Sequence, residues 1–565
     1  MFDLSGISFG SFVTIALGLG ILSQWLAWRF KLPSILLLLA AGFGCSQLFD
    51  ISINNYLTGD LGNTLLLPLV GISVAIILFE GGLTLKFSEL KESGAPVLRL
   101  CTIGVAVAFV LTTAIGIYIF DWNWRVAAIL GSILVVTGPT VIAPLIRHIK
   151  PSRKVGSIVK WEGIVVDPIG AIMAVLVFQA ATAGDMESAK STVIQSVGIT
   201  LLVGVVFAII LAKLIEFLLK KHLIPDFLHS VFFIAIIAVA FTASNAIMKE
   251  AGLLTVTVMG IVLANQKSVS VKHILEFKEN LRVLIISLLF IVLSGRIGMD
   301  ELMDSAVTGL ILLALLIVVV RPASIFIANL FSNQTTFKER LFLSALAPRG
   351  IVAAAVTSIF ALEFEHYAHM ENSPLSPEVV AQAKTMVPIV FIVIVGTVAF
   401  YGLLAAPLAN RLGLASKNPR GVLFAGAPLW TRMIAKSLHE EGHDVLMLDT
   451  NYSNVAAATV EGIPAKRANI LSEYVEEELD LTGIGQLVAV TQNDEINSLA
   501  AKEFNHIFGS ADIWQVAPLD DDDHHTTSVS SHMRGRIIFQ GRPNHDDLDK
   551  LVASGVKVKT TMLTN

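Results

Sequence analysis

The chain has 565 residues, of which 54% are hydrophobic and 15% charged, and its mean hydropathy is +0.73. That balance excludes an ordinary soluble globular protein, and a net charge of −5 without any basic stripe excludes nucleic acid as a partner. The two cysteines, Cys45 and Cys101, lie in apolar runs too distant in sequence for a disulfide framework.

Taken in chain order, the first half is a series of apolar stretches with short polar breaks, each long enough to cross a hydrocarbon core. There are about 13 of them, near 8–28, 33–48, 64–85, 96–120, 126–147, 157–181, 192–219, 228–248, 251–265, 278–298, 303–332, 341–362 and 386–410. The N-terminus lacks the basic region and small-residue cleavage site of a secretory signal, so the first stretch reads as a retained span. From about residue 420 the pattern changes to short β-rich runs alternating with amphipathic helices. The expected organisation is a membrane domain over 1–412, a linker over 413–420, an α/β domain over 421–520, and an acidic loop with a C-terminal extension over 521–565.

Lys and Arg collect in alternate loops, at Arg29 and Lys31, Lys86 and Lys91, Arg147 to Lys154, Lys220 and Lys221, Lys267 and Lys272, Lys338 and Arg340, and Arg411 to Arg420. The intervening loops are acidic or neutral. The positive-inside rule then puts the N-terminus outside, the tail in the cytoplasm, and an odd number of spans between them.

Glu80, in Phe79-Glu80-Gly81-Gly82, closes the third stretch six residues before Lys86 and is a candidate for an inner vestibule or a marker of the membrane border. The fifth stretch holds Thr137-Gly138-Pro139-Thr140. Pro removes a backbone donor and Gly weakens the helix, so polar backbone near Thr137 is freed to face a cavity; a plain proline kink is the simpler alternative. The sixth carries Glu162 and Asp167 five residues apart. An ionised carboxylate at membrane depth costs at least a few kcal/mol, so such groups pair or line an ion path. Asp167 is the first candidate to carry a proton or cation. The twelfth has Pro348-Arg349-Gly350, and a buried guanidinium needs a carboxylate or water. Glu162 is the economical partner for Arg349, leaving Asp167 free to titrate; snorkelling of Arg349 to the cytoplasmic surface is the alternative. Arg321 and Arg296 are further arginines of the membrane region, with Arg296 read as an interfacial anchor.

In order and spacing, Phe79-Glu80-Gly81-Gly82-Leu83, Thr137-Gly138-Pro139, Glu162 to Asp167-Pro168 and Pro348-Arg349-Gly350 resemble the monovalent cation:proton antiporters, in their NhaP-like sodium/proton exchanger branch. The resemblance spans residues 8–412. It implies an all-α polytopic membrane fold of about 13 helices with an inverted repeat and two broken helices crossing near the midplane. It also implies Asp167 as the group that alternately binds cation and proton, Glu162 and Arg349 as a structural ion pair, and Thr137 as a ligand from the first broken helix. A homodimer in the cell membrane is implied as well.

Two departures stand out. The family usually has Asp where this chain has Gly138, and Asn or Asp where it has Val166. Coordination must then lean on Asp167, Thr137, Thr140, the backbone at Gly138 and water. A single exchangeable charge favours electroneutral 1:1 exchange of Na+ or K+ for H+. Desolvation disfavours a bare carboxylate, so only a site neutralised by a proton or a cation crosses the barrier.

In the tail, 421–426 reads as a strand and turn, about 430–441 as a helix, and 445–449 as a second strand ending in Asp449, as in a dinucleotide-binding βαβ unit. A further strand follows at 487–491. This resembles the regulator of K+ conductance (TrkA-N-like) domains, which implies a Rossmann-like regulatory fold. The glycine fingerprint is degenerate, with Pro428 and Trp430 after Gly426, so no cofactor is required; a nucleotide, if bound, would meet Gly426 and Asp449. The run Asp520 to His525 reads as a solvated acidic loop rather than a metal site, and 536–539 as one more strand. A gated channel would need a carbonyl filter, which is absent, and a transport-inactive sensor is the remaining alternative. No nucleophile–base pair or P-loop lysine points to an enzyme.

Overall fold

The computed structural model describes residues 9–30, 32–49, 60–149, 151–182, 186–266, 268–269, 272–330, 332, 334–368, 376–414, 420–472, 474–475, 479, 481, 483–519 and 529–561. The chain divides into two units, Met1–Ala415 and Ser416–Asn565.

With no water in a bilayer core, backbone groups must be satisfied within helices, and the first unit is accordingly all helix. Its elements are α1 (Phe9–Phe30), α2 (Ser34–Phe49), α3 (Asp60–Leu83), α4 (Leu90–Arg99), α5 (Val105–Tyr118), α6 (Trp124–Ile133), α7 (Pro139–Ile149), α8 (Arg153–Thr182) and α9 (Met186–Leu201). There follow α10 (Ala208–Lys220), α11 (His229–Ile247), α12 (Ala251–Ala264), α13 (Lys272–Ser294), α14 (Met299–Leu315), α15 (Arg321–Ala328), α16 (Phe337–Ser344), α17 (Ile351–Ala368) and α18 (Pro377–Leu412). Single π-helical turns at Leu100–Gly104, Leu202–Phe207 and Leu316–Val320 join α4 to α5, α9 to α10 and α14 to α15. Two further junctions, α6 to α7 and α16 to α17, are unwound stretches inside one crossing. Joined at these five places, the eighteen helices make thirteen helical segments among the described residues, and seven helices are long and apolar enough to cross a membrane.

Both breaks have a local chemical cause. Pro139 has no N–H to offer the carbonyl of Val135; α6 ends at Ile133, and the chain turns at 134–135 and runs without regular structure over 136–138 before α7 begins at Pro139. Pro348 does the same between α16 and α17. The breaks cross in direct backbone contact. The Gly138 N–H donates to the Pro348 carbonyl at 3.0 Å. A Cβ on Gly138 would stand 2.4 Å from the Gly350 Cα and 2.7 Å from its nitrogen. Only glycine fits this crossing, which explains why the position carries no side chain here.

The second unit is a parallel six-stranded sheet in the order β3-β2-β1-β4-β5-β6, comprising β1 (Gly421–Ala425), β2 (Val445–Asp449), β3 (Ala465–Arg467), β4 (Ile484–Ala489), β5 (Ile513–Gln515) and β6 (Arg536–Ile537). This is the doubly wound order of a Rossmann domain. Helix α19 (Leu429–Glu440) follows β1 and α20 (Tyr452–Val460) follows β2. One apolar core, around Phe424, Trp430 and Met447, lies on one face of the sheet, and another, around Leu423, Leu487 and Phe504, lies on the other. The expected boundary at 520 is corrected: β6 pairs with β5, and the helix His545–Ala553 packs Leu548 and Val552 onto the first of these cores. The short, partly polar β6 hides this contribution in the sequence. The acidic run 520–525 lies outside the described residues.

Candidate functional site

On α8, Gly163, Asp167 and Gly170 are spaced four and three residues apart and share one helix face. That face lies against the first break. A Cβ on Gly163 would meet Ile142 of α7, and one on Gly170 would meet Val136 of the unwound stretch. Asp167, between the two glycines, is therefore aimed at residues 136–142. It is fully buried, and neither carboxylate oxygen has a hydrogen-bond partner among the described residues. Thr137 is also buried, and its hydroxyl is equally unpartnered among the described residues. A buried polar atom without a partner costs on the order of 1–3 kcal/mol, more for a charged group. Asp167 and Thr137 thus leave three buried oxygens unpartnered on and beside the first break. The Thr140 side chain lies outside the described residues. Gly138 contributes its crossing contact rather than a side chain.

The expected Glu162–Arg349 pair is not formed. Glu162 is held instead by Arg321, at the start of α15: Nη1 donates to one carboxylate oxygen and Nη2 to the other at 3.0 Å. Arg321 also donates from Nε to the Leu343 carbonyl at 3.2 Å and from Nη2 to the Leu346 carbonyl at 2.9 Å. Both carbonyls border the second break. The fork geometry of guanidinium explains the choice, because Arg321 satisfies a carboxylate and two stranded carbonyls at once. The π-turn Leu316–Val320 immediately before Arg321 offsets the helix at the point where this side chain leaves it.

Arg349 serves the other break. Its Nη1 donates to the carbonyls of Val135 at 3.1 Å and Val136 at 2.8 Å, while its backbone N–H donates to Thr397 Oγ1 on α18 at 3.1 Å. Its Nε has no partner. The side chain is 4% exposed, so snorkelling to water is also excluded. Tyr401, one turn beyond Thr397 and buried, lies within electrostatic reach of both arginines. Arg321, Thr397 and Tyr401 are members of the site that the sequence does not single out. An Arg-Pro pair at membrane depth was the available signal for the first; the other two carry none.

Glu80 is buried and ion-paired to Arg282 of α13 at 3.0 Å. Nearby, Lys160 of α8 donates to the Thr84 carbonyl at 3.0 Å, and the Trp161 indole donates to Glu89 at 3.1 Å. Gly81 lies against Ile164, so the basic end of α8 is closed against the end of α3. At the acidic end, a cavity of about 460 Å3 runs between α2, α13, α14, α17 and α18. Glu301, Asp304 and the Glu365–Lys384 pair (2.8 Å) line its acidic side. Ala354 and Ile394, which also line it, are within about one helical turn of Gly350 and Thr397. Arg296, read as an interfacial anchor, lines this cavity.

In the tail, the turn after β1 is drawn inward. Gly426 has φ +116° and a Cβ there would meet the Val490 carbonyl at 2.8 Å, so this first glycine is required. The following groups do not suit a dinucleotide. The Ala427 N–H, which a pyrophosphate would need, donates to Asp449 Oδ2 at 2.8 Å, and Pro428 has no N–H. Asp449 further accepts from Asn451 N and Asn454 Nδ2, each at 2.8 Å. Asp449 thus braces the turn after β1.

Known proteins align with both halves. Residues 13–411 match the family described as sodium/hydrogen exchanger, transmembrane, and residues 422–529 match the TrkA-N domain. Among curated proteins, Na(+)/H(+) antiporter 1 of Methanocaldococcus jannaschii is 24% identical over 68% of this chain and 90% of its own length. The K(+)/H(+) antiporter NhaP2 of Shewanella baltica is 24% identical over 57% of this chain and 55% of its own, so the match spans about half of that relative. Among solved structures, the sodium proton antiporter MjNhaP1 from M. jannaschii superposes with a TM-score of 0.60 at 21% identity, over 72% of this chain and 98% of that one. The shared fold, the two crossed breaks and the family match agree: the chain is a multi-pass membrane protein of the sodium/hydrogen exchanger family, a family of secondary transporters, with a TrkA-N domain behind its helical unit.

Proposed function

We propose that the chain is a secondary antiporter that exchanges Na+ or K+ for protons, one for one, with Asp167 as the carboxylate that both ions share. The observation that carries this is the fully buried, unpartnered Asp167 facing a stretch of helix whose backbone is freed by Pro139. Either a proton or a dehydrated cation cancels its charge, and a bare carboxylate is too costly to carry across the core. Glu162 is committed to Arg321 and Glu80 to Arg282, so of these three membrane carboxylates Asp167 is the one left for exchange. Arg321 and Arg349 stay charged throughout, so proton-bound and cation-bound forms carry equal charge, which is what electroneutral exchange requires. Thr137, with its unpartnered hydroxyl, and Thr140 are the side-chain ligands proposed from the broken helix.

The loop charges orient the basic ends of the helices to the cytoplasm, with the N-terminus outside and the tail inside. The cavity at the acidic end then opens outward, while Lys160, Thr84, Gly81 and Ile164 close the inner side. Alternating access exchanges the two arrangements about Asp167. The assembly is proposed as a homodimer in the cell membrane, and the tail as a regulatory domain that works without a tightly held dinucleotide. The test is flux in proteoliposomes. Added Na+ or K+ should dissipate a pH gradient with wild type and fail to do so with Asp167→Asn, and the effective cation identifies the substrate. Equal responses from the two proteins would remove Asp167 from the mechanism.

A further inference from the structure

We infer that Arg349 is a specificity-determining residue that occupies the backbone half of the cation site as a tethered counter-cation. This inference rests on the reading of Asp167 as the exchanging carboxylate. Pro139 leaves the Val135 carbonyl without its helical donor, and the unwinding frees that of Val136 as well. Carbonyls freed in this way at a midplane break are the natural ligands of a dehydrated monovalent cation. Here one nitrogen of Arg349 bridges both, at 3.1 and 2.8 Å, much as a single small cation would. The guanidinium is not neutralised by a carboxylate contact: Glu162 is taken by Arg321, and Asp167 makes no hydrogen bond. The face defined by Gly163, Asp167 and Gly170 presents Asp167 to this same stretch.

The site is thus divided. A cation that binds Asp167 and completes its shell from the broken helix must displace the Arg349 guanidinium from the Val135 and Val136 carbonyls. When Asp167 is protonated, Arg349 holds those carbonyls and keeps the break from collapsing. The cost of the displacement sets the affinity for the cation and penalises ions that gain little from carbonyl ligation. A purely structural Arg349 would instead brace the break, and its loss would lower turnover without tightening cation binding.

The experiment measures KM and maximal rate for Na+ and K+ in proteoliposomes with wild type, Arg349→Gln and Arg349→Lys, alongside Asp167→Asn. Arg349→Gln removes the competing charge, and KM should fall about tenfold, the equivalent of one charge-assisted hydrogen bond, while the maximal rate drops. Arg349→Lys keeps a charge and supports folding but replaces the planar fork with a compact ammonium, and KM should fall about two- to threefold. A KM that is unchanged or raised in Arg349→Lys overturns the inference, as does the same result in Arg349→Gln where that variant is folded. Cation-dependent flux that survives in Asp167→Asn overturns the underlying reading instead, so the two failures are distinguishable.

Discussion

Replacing Arg321 tests the arrangement of charges inside the membrane directly, because the structure assigns Glu162 to Arg321 and the motif order alone points to Arg349. Arg321 makes two donations to the Glu162 carboxylate and two more to the Leu343 and Leu346 carbonyls. Glu162 is 6% exposed, so Arg321→Gln strands an almost fully desolvated carboxylate. Breaking a buried pair from one side costs about 3–5 kcal/mol, and Glu162→Gln leaves the mirror-image defect in the guanidinium. A double-mutant cycle over these two positions should therefore return a coupling of about 3 kcal/mol. The Glu162–Arg349 cycle lacks a contact and should return only a longer-range Coulomb contribution, about 1 kcal/mol. The difference is more than tenfold in an equilibrium constant. The assay is reversible unfolding of the purified protein and its variants in mixed micelles. A Glu162–Arg349 coupling equal to or larger than that of Glu162–Arg321 would refute the assignment.

Gly138→Ala should abolish exchange and destabilise the protein by about 1–3 kcal/mol, since its methyl group meets the Gly350 backbone rather than a movable side chain; flux and thermal melting check this, and a fully active variant would remove the argument from close crossing. Glu250, half-buried in the turn between α11 and α12, has its carboxyl pushed up to about 7 by burial, with Lys249 opposing. The fold therefore favours its neutral form, and a destabilisation absent below pH 4.5 develops as pH rises and is complete above about 7. Glu250→Gln should raise the melting temperature at pH 8 and leave it unchanged at pH 4, and an equal effect at both values would contradict that sign. Asp449→Ala removes three hydrogen bonds that brace the β1–α19 turn and should loosen the tail by about 1–3 kcal/mol. Tail-specific hydrogen exchange reads that loss, and unchanged protection in Asp449→Ala would contradict the bracing role.

The sequence by itself determined the features that local chemistry dictates. Apolar length set the helical segments of the first unit, because a bilayer admits only helices that satisfy their own backbone. Pro139 and Pro348 set both breaks, because a missing N–H acts wherever the residue is placed. Asp167 stood out because a carboxylate at membrane depth is costly in any fold, and alternating β-rich runs announced the parallel sheet of the tail. Tertiary structure decided the pairings. Arg321 and Arg349 are both arginines beside prolines or glycines at membrane depth, and nothing within either segment says which one reaches Glu162 across 159 or more residues. The answer lies in where α8 brings Glu162, and α16 with the break after it brings Leu343 and Leu346, to the Arg321 guanidinium on α15. In the same way, Gly138 reads as a lost carboxylate until Gly350 is seen against it, and the bracing of Asp449 by Ala427 and Asn454 is invisible in the sequence. Each is a contact between distant segments, and its energy depends on distances that composition and spacing do not encode.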